Sequence, residues 1–85
     1  MKDKLNNYFD NKEYFTSEEE IEKELTELVG CRARCYDTKI DDGVDDEDSE
    51  DEYVMLSAFE FDNSNIIARV YYGNNTGEIG YVSIN

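Results

Sequence analysis

The sequence has no histidine, no proline and no tryptophan, and only two of its 85 residues are cysteines. Without histidine, the commonest general base of enzymes is missing. Glycine-rich phosphate loops, nucleophile elbows and zinc-binding helix motifs are also absent. A pair of carboxylates could perform acid–base chemistry, but the 22 acidic residues single out no such pair. We therefore predict that the chain has no catalytic residues and is not an enzyme.

The two cysteines do not indicate a disulfide or a metal site. In a strand, Cys31 and Cys35 would lie about 13 Å apart at ~3.3 Å per residue, which is too far for a disulfide. Two thiols without histidine also fall short of the tetrahedral ligand set of a structural zinc site. We expect small buried thiols in a reducing cytoplasm, and we predict no metal and no cofactor.

Long apolar segments and positive charges are scarce as well. No run approaches the ~20 residues of a membrane span, and the first residues lack a signal-peptide core, so we expect a cytoplasmic protein. Only 8 lysines and arginines face the 22 acidic residues, for a net charge of −14. Nucleic acids and anionic membranes bind to Lys and Arg, so direct contact with either is disfavoured. A negative field of this size attracts basic proteins instead, including those that bind nucleic acid.

The apolar spacing and the capping residues of the first 30 positions predict two helices. Leu5, Tyr8 and Phe9 have helical spacing within residues 1–15. A second helix is predicted at 17–29, because Thr16 and Ser17 each precede a glutamate by three residues in the pattern of a capping box. It carries an apolar stripe and ends before a glycine; these residues are Ile21, Leu25, Leu28, Val29 and Gly30.

After the second helix, the apolar period changes from helical to alternating, which predicts four strands. They cover residues 31–37, 53–62, 65–72 and 78–84, with turns at 62–65 and 73–77. Short turns join antiparallel neighbours, and the helix stripe needs a sheet face to cover. We predict one α+β domain over 1–85: one or two N-terminal helices packed on a four-stranded antiparallel β-meander in two layers. Arg and Tyr side chains would line the other face of the sheet.

The stretch DDGVDDEDSEDE, residues 41–52, has nine carboxylates in twelve positions. It is predicted to be a flexible loop, since it repels itself and cannot be buried. The pattern does not predict a calcium site. Aligning Gly43 with the glycine of an EF-hand loop places Thr38, Ile40, Asp42 and Ser49 at ligand positions, and only one of them is a carboxylate.

Two interpretations of this run remain. One is a solvated loop without a function of its own, although loops of this length are often functional. The other is imitation of a nucleic-acid backbone. Fully extended at ~3.4 Å per residue, the run would span about 40 Å. Its charges would then repeat every ~4.5 Å, close to the ~3.4 Å between phosphates along one strand of a duplex.

The size, acidity and element order of the chain resemble those of small phage-encoded anti-CRISPR proteins, and the stretches EEEIEKELTEL and DDGVDDEDSEDE carry the resemblance. Several such proteins occupy the DNA- or PAM-binding surface of a Cas nuclease. The resemblance implies an inhibitor, located in a bacterial host cell, that binds a nucleic-acid-processing protein and prevents nucleic acid from loading. An immunity protein or antitoxin that caps a basic toxin nuclease, and an acidic adaptor module, are the alternatives.

The candidate partner-binding residues combine the acidic run with helix acids and exposed tyrosines. They are Asp41, Asp42, Asp45, Asp46, Glu47, Asp48, Glu50, Asp51, Glu52, Glu18, Glu22, Tyr36 and Tyr53.

Overall fold

The computed structural model describes residues 1–85 as two helices followed by one antiparallel sheet. The elements are α1 (Lys2–Asp10), α2 (Glu18–Val29), β1 (Ala33–Gly43), β2 (Tyr53–Phe61), β3 (Ile67–Gly73) and β4 (Ile79–Ile84). The strand order is β1-β2-β3-β4, so each strand pairs with its neighbour in sequence. The predicted α+β meander is confirmed. Neither helix is long and apolar enough to cross a membrane.

Helix α2 begins and ends where its sequence predicts. The Ser17 side chain accepts a hydrogen bond from the Glu20 backbone N–H at 3.1 Å, so Ser17 rather than Thr16 is the N-cap. Three glutamates follow in the first turn, where the helix dipole favours negative charge. The helix ends at Gly30, which has φ 79°, a left-handed conformation that glycine adopts without strain.

The core lies between the helices and one face of the sheet. Leu5 and Phe9 from α1 and Ile21 and Leu25 from α2 are buried against this face. The sheet contributes alternate residues from neighbouring strands, namely Ala33, Phe59, Phe61, Ala68 and Val70. Nine residues therefore form the central cluster, and the predicted apolar stripe of α2 faces it.

The other face of the sheet, here called the open face, has no helix over it. Pairing across the sheet places Lys39, Leu56, Tyr71 and Tyr81 in one row on this face. The next row includes Ala58 and Arg69. Leu56 and Ala58 are buried even here, because they lie between longer side chains on adjacent strands. Of the predicted Arg and Tyr lining, Arg69, Tyr71 and Tyr81 lie in these rows, together with Lys39, Leu56 and Ala58.

Strand β1 is longer than its predicted range of 31–37. It runs to Gly43 and pairs with β2 as far as Tyr53, so the acidic loop begins at Val44 rather than at Asp41. The prediction missed this extension because a run of aspartates has low strand propensity, whereas backbone pairing with β2 overrides it. From here on, the acidic loop means residues 44–52.

Irregular pairing occurs at three places in the sheet. One residue has no partner at each shift of register: Tyr36 and Asp41 in β1, and Gly80 in β4. Such bulges reverse the face to which the following residues point. The bulge at Gly80 therefore brings Tyr81 opposite Tyr71 on the open face and leaves Val82 opposite Val70 in the core.

Candidate partner-binding surface

The acidic loop folds back on itself instead of extending. The Val44 backbone N–H donates to the Glu52 carbonyl at 2.9 Å and closes the loop at its base. Near the tip, the Ser49 N–H donates to the Asp46 carbonyl, and the Asp48 N–H donates to the Asp46 carboxylate at 2.9 Å. The extended arrangement of about 40 Å is therefore wrong, because these bonds turn the chain within the loop. The predicted flexibility of the loop stays a prediction.

Asp51 anchors the loop to the turn between β3 and β4. Its Oδ1 accepts hydrogen bonds from the backbone N–H groups of Asn75 at 2.9 Å and Thr76 at 2.8 Å. Its Oδ2 accepts one from the Thr76 hydroxyl at 2.8 Å. These donors hold the pKa of the Asp51 carboxyl below its ordinary value, the Thr76 backbone N–H having the largest effect.

Two asparagines of the same turn complete the attachment. The Asn74 side-chain oxygen accepts from the backbone N–H groups of Glu52 at 2.9 Å and Tyr53 at 3.0 Å. The Asn75 side-chain amide donates to the Glu50 carbonyl at 2.8 Å. Asn74, Asn75 and Thr76 of the turn thus form hydrogen bonds with residues 50–53.

Gly73 makes room for the anchor. A Cβ at this position would overlap with the carboxylate of Asp51, which lies over the Gly73 backbone on the open face. Any larger residue would force the carboxylate away from its three donors. Glycine is therefore required here by a close approach of the loop, and its φ does not fall in the left-handed region.

The remaining carboxylates of the run point to solvent. Those of the loop and of the end of β1 are exposed; they are Asp41, Asp42, Asp45, Asp46, Glu47, Asp48, Glu50 and Glu52. The chain has two ion pairs, Lys12–Glu24 and Arg34–Glu60, and neither includes a residue of the run. The acidic loop therefore presents a compact group of charges that no cation of the chain neutralises.

Glu18 and Glu22 lie apart from this group. The Thr38 hydroxyl donates to Glu18 Oε1 at 2.6 Å, and the Cys35 backbone N–H donates to Glu22 Oε2 at 2.7 Å. Both glutamates therefore join α2 to β1 on the helix-covered side of the sheet. Of the predicted site residues, the structure does not bring these two together with the acidic loop.

The two predicted tyrosines are both exposed, but they occupy different places. Tyr53 begins β2 directly after the acidic loop and pairs with Gly43. Tyr36 is the bulged residue in the first half of β1, near the N-terminal end of the strand, which follows α2. Only Tyr53 is therefore continuous with the acidic loop.

A groove of about 570 Å³ lies where the acidic loop meets the open face. Tyr71, Tyr81 and Val54 contribute from the strands, and Val44, Ser49 and Asp51 contribute from the loop. The carboxylates of Asp41 and Glu78 also line it, and no Lys or Arg does. Tyr71 and Tyr81 are not among the candidate residues that the sequence singled out. Placing Tyr81 required the bulge at Gly80, for which a glycine within a strand is the available signal.

A series of hydrogen-bonded hydroxyl groups lies on the helix-covered side of the sheet. Ser57, which is fully buried, contacts the Tyr72 hydroxyl at 2.8 Å and the Thr38 hydroxyl at 3.3 Å, and Thr38 continues the series to Glu18. These hydrogen bonds satisfy buried side-chain polar atoms, and no buried side-chain nitrogen or oxygen lacks a hydrogen-bond partner. Burial also raises the pKa of the nearby Cys35 thiol, which disfavours the reactive thiolate.

No three acidic or thiol side chains come together in an arrangement that could hold a metal ion. Comparison of the chain with protein-family models, with curated proteins and with solved structures finds no match. The geometry of the acidic loop and the groove is therefore the basis for inferring a function.

Proposed function

We propose that the protein is an inhibitor that binds a nucleic-acid-processing protein through its acidic loop and prevents nucleic acid from loading. A Cas nuclease is the preferred target, because of the resemblance to small acidic anti-CRISPR proteins. The observation that carries the proposal is the acidic loop itself: hydrogen bonds attach its base to the β3–β4 turn, yet none of its carboxylates forms an ion pair with a cation of the chain.

The hydrogen bonds of the loop support recognition rather than solubility alone. A solvated loop needs no internal structure, whereas the three donors to Asp51 and the two to Asn74 fix the base of this one. A segment that is ordered before binding loses less conformational entropy in the complex. The fixed base therefore supports a surface shaped for a partner.

The exposed carboxylates supply the chemistry. Asp and Glu accept bidentate hydrogen bonds from arginine in the same way as phosphate groups do. A cleft that binds nucleic acid presents Lys and Arg at a density suited to phosphates, so it would also attract the acidic loop. Because the loop is folded, it would imitate a compact cluster of phosphates and not an extended strand.

Asp41 and Asp42 enlarge this surface. They belong to the end of β1, next to the acidic loop: Asp42 pairs with Val54 of β2, and Asp41 is the bulged residue before it. Tyr53 supplies an exposed aromatic side chain at the same place. Aromatic residues next to charged ones are typical of the residues that dominate binding energy in interfaces.

Affinity capture from lysates that contain CRISPR effectors and toxin nucleases tests the proposal. The test variant carries Asp45→Asn, Asp46→Asn, Glu47→Gln, Asp48→Asn and Glu50→Gln, which leaves the Asp51 anchor intact. A control variant removes the same number of exposed charges elsewhere, through Asp3→Asn, Asp10→Asn, Glu13→Gln, Glu19→Gln and Glu27→Gln.

We expect the wild type and the control variant to retain one nuclease that excess DNA displaces, and the loop variant to lose it. Retention of one partner irrespective of loop charge and of DNA would contradict the proposal and favour an immunity or adaptor protein. Recovery of every basic protein in the lysate would show that the acidic loop is only a polyanion.

A further inference from the structure

We infer that the groove beside the acidic loop receives an arginine side chain of the protein partner. This inference rests on the proposed function and adds to it a second contact, on the open face of the sheet, with a defined chemistry. It is carried by the aromatic pair that lines the groove and by the sign of the groove's charge.

An aromatic pair lines the groove. Tyr71 and Tyr81 are direct partners across β3 and β4, with ring centroids 5.6 Å apart and planes tilted by 45°. Tyr81 is 63% exposed, which is much for a large side chain in the middle of a strand. Guanidinium groups stack on aromatic faces of this kind, and tyrosine offers a hydroxyl as well.

Three acidic residues also line the groove. Asp41 lines it from β1, Asp51 from the loop, and Glu78 from the residue before β4. None of the three forms an ion pair with a Lys or Arg of the chain. Acidic residues beside two aromatic rings, without a cation, are complementary to a single positive side chain with a flat face.

Two bulges shape this arrangement. Asp41 is one of the two residues without a partner in β1, Gly80 is the one in β4, and both line the groove. The bulge at Gly80 places Tyr81 opposite Tyr71 on the open face. Bulges commonly re-aim side chains next to binding sites.

The charge of the groove selects against other occupants. Nucleic acid would place phosphates against the three carboxylates, and a second copy of the chain would bring a net charge of −14. Lysine has the right charge, but its ammonium group cannot stack on a ring as a guanidinium does or form a planar pair with a carboxylate.

The inference can be tested by NMR on the ¹⁵N-labelled protein. The probe is a capped glycine–serine peptide with one central arginine, and matched peptides carry lysine or the uncharged isostere citrulline. We expect the arginine peptide to shift the amide signals of Tyr71, Gly80 and Tyr81. We expect a smaller effect of the lysine peptide and none of the citrulline peptide.

Variants assign the effect to the groove. Tyr81→Ala is expected to weaken binding of the arginine peptide about two- to fivefold, and Tyr81→Phe, which keeps the ring, to retain it. Tyr14→Ala removes a tyrosine that is 52% exposed and lies outside the groove, so it is expected to change nothing.

Three results would overturn the inference: no shift of the groove amides, equal shifts with citrulline, or unchanged binding by Tyr81→Ala. Capture of the partner separates this inference from the proposed function. If the loop variant loses the partner while Tyr81→Ala retains it at full strength, the groove inference fails and the proposed function stands. If wild type retains no nuclease but the groove binds arginine selectively, the proposed function fails and the arginine chemistry of the groove stands.

Discussion

The conformation of the acidic loop depends on individual residues. Asp51 differs from the other carboxylates of the run, because three donors of the β3–β4 turn bind it while the others face solvent. Composition alone treats all nine acids of the run as equivalent. The distinction requires knowledge of which turn lies beside the loop, and that depends on the register of the sheet.

Gly73→Ala is expected to release the loop from the sheet. The new Cβ would overlap with the Asp51 carboxylate and separate it from Asn75 and Thr76. Hydrogen exchange of these two amides, followed by NMR, should become faster, and Tm should fall. Gly80→Ala is the matched control, since a Cβ there meets no atom within 4 Å. Unchanged protection of both amides in Gly73→Ala would show that Asp51 is not an anchor.

The same anchor predicts a pH dependence. The pKa of Asp51 lies below its ordinary value because the folded state donates hydrogen bonds to the carboxylate. Its contribution to stability is therefore complete above the unfolded-state pKa of about 3.9 and is lost as the pH falls through the lower folded-state value. NMR titration of the Thr76 amide should give a midpoint below about 3.9. A midpoint at or above this value would contradict the anchor.

At the scale of elements, the sequence predicts the helices better than the strands. The cap, stripe and terminal glycine of α2 are all local signals, and the helix forms at Glu18–Val29 as they indicate. The extension of β1 through Asp41–Gly43 and the bulges at Tyr36, Asp41 and Gly80 are not local. They follow from pairing with strands that are distant in sequence. Apolar periodicity is a local signal and does not reveal such pairing.

Because local sequence patterns do not reveal tertiary contacts, only part of the site could be predicted. The concentration of carboxylates is a property of composition and is visible in the sequence. The groove is not, because it needs Tyr81 on the same face as Tyr71, and simple alternation from Ile79 would place Tyr81 in the core. Glu18 and Glu22 could not be separated from the acidic loop either, since their bonds to Thr38 and the Cys35 backbone are tertiary contacts.

The cap of α2 gives a prediction at this scale. Ser17→Ala removes the acceptor for the Glu20 N–H and is expected to cost about 1 kcal/mol of unfolding free energy. Thr16→Ala is the control, because Thr16 makes no capping bond and should have little effect. Urea denaturation of both variants would measure the difference. An equal loss in the two variants would mean that Ser17 does not cap the helix.

The whole molecule carries far more negative charge than it neutralises. Its net charge is −14, and only two of the 22 acidic residues form ion pairs. Mutual repulsion destabilises the folded state, in which these charges are held closer together than in the unfolded chain. A chain selected only for stability has no need of this excess. A partner with a positive cleft would give it a use.

Added salt should therefore stabilise the protein. The screening length falls from about 30 Å at 0.01 M to about 8 Å at 0.15 M, so repulsion across the molecule weakens. Thermal unfolding followed by circular dichroism should show Tm rising over this range. The variant with five neutralised loop residues should start from a higher Tm and rise less. A Tm that falls with salt in the wild type would show that attractive pairs dominate instead.

The central claim is that the protein occupies a surface which nucleic acid would otherwise bind. The most direct measurement is an order-of-addition assay with the nuclease recovered by affinity capture. The protein is added either before or after the nuclease has bound its nucleic acid, and cleavage is measured. We expect strong inhibition in the first order, little in the second, and none by the loop variant in either order. Equal inhibition in the two orders would contradict the central claim, because a protein that does not compete with nucleic acid has no need to arrive first.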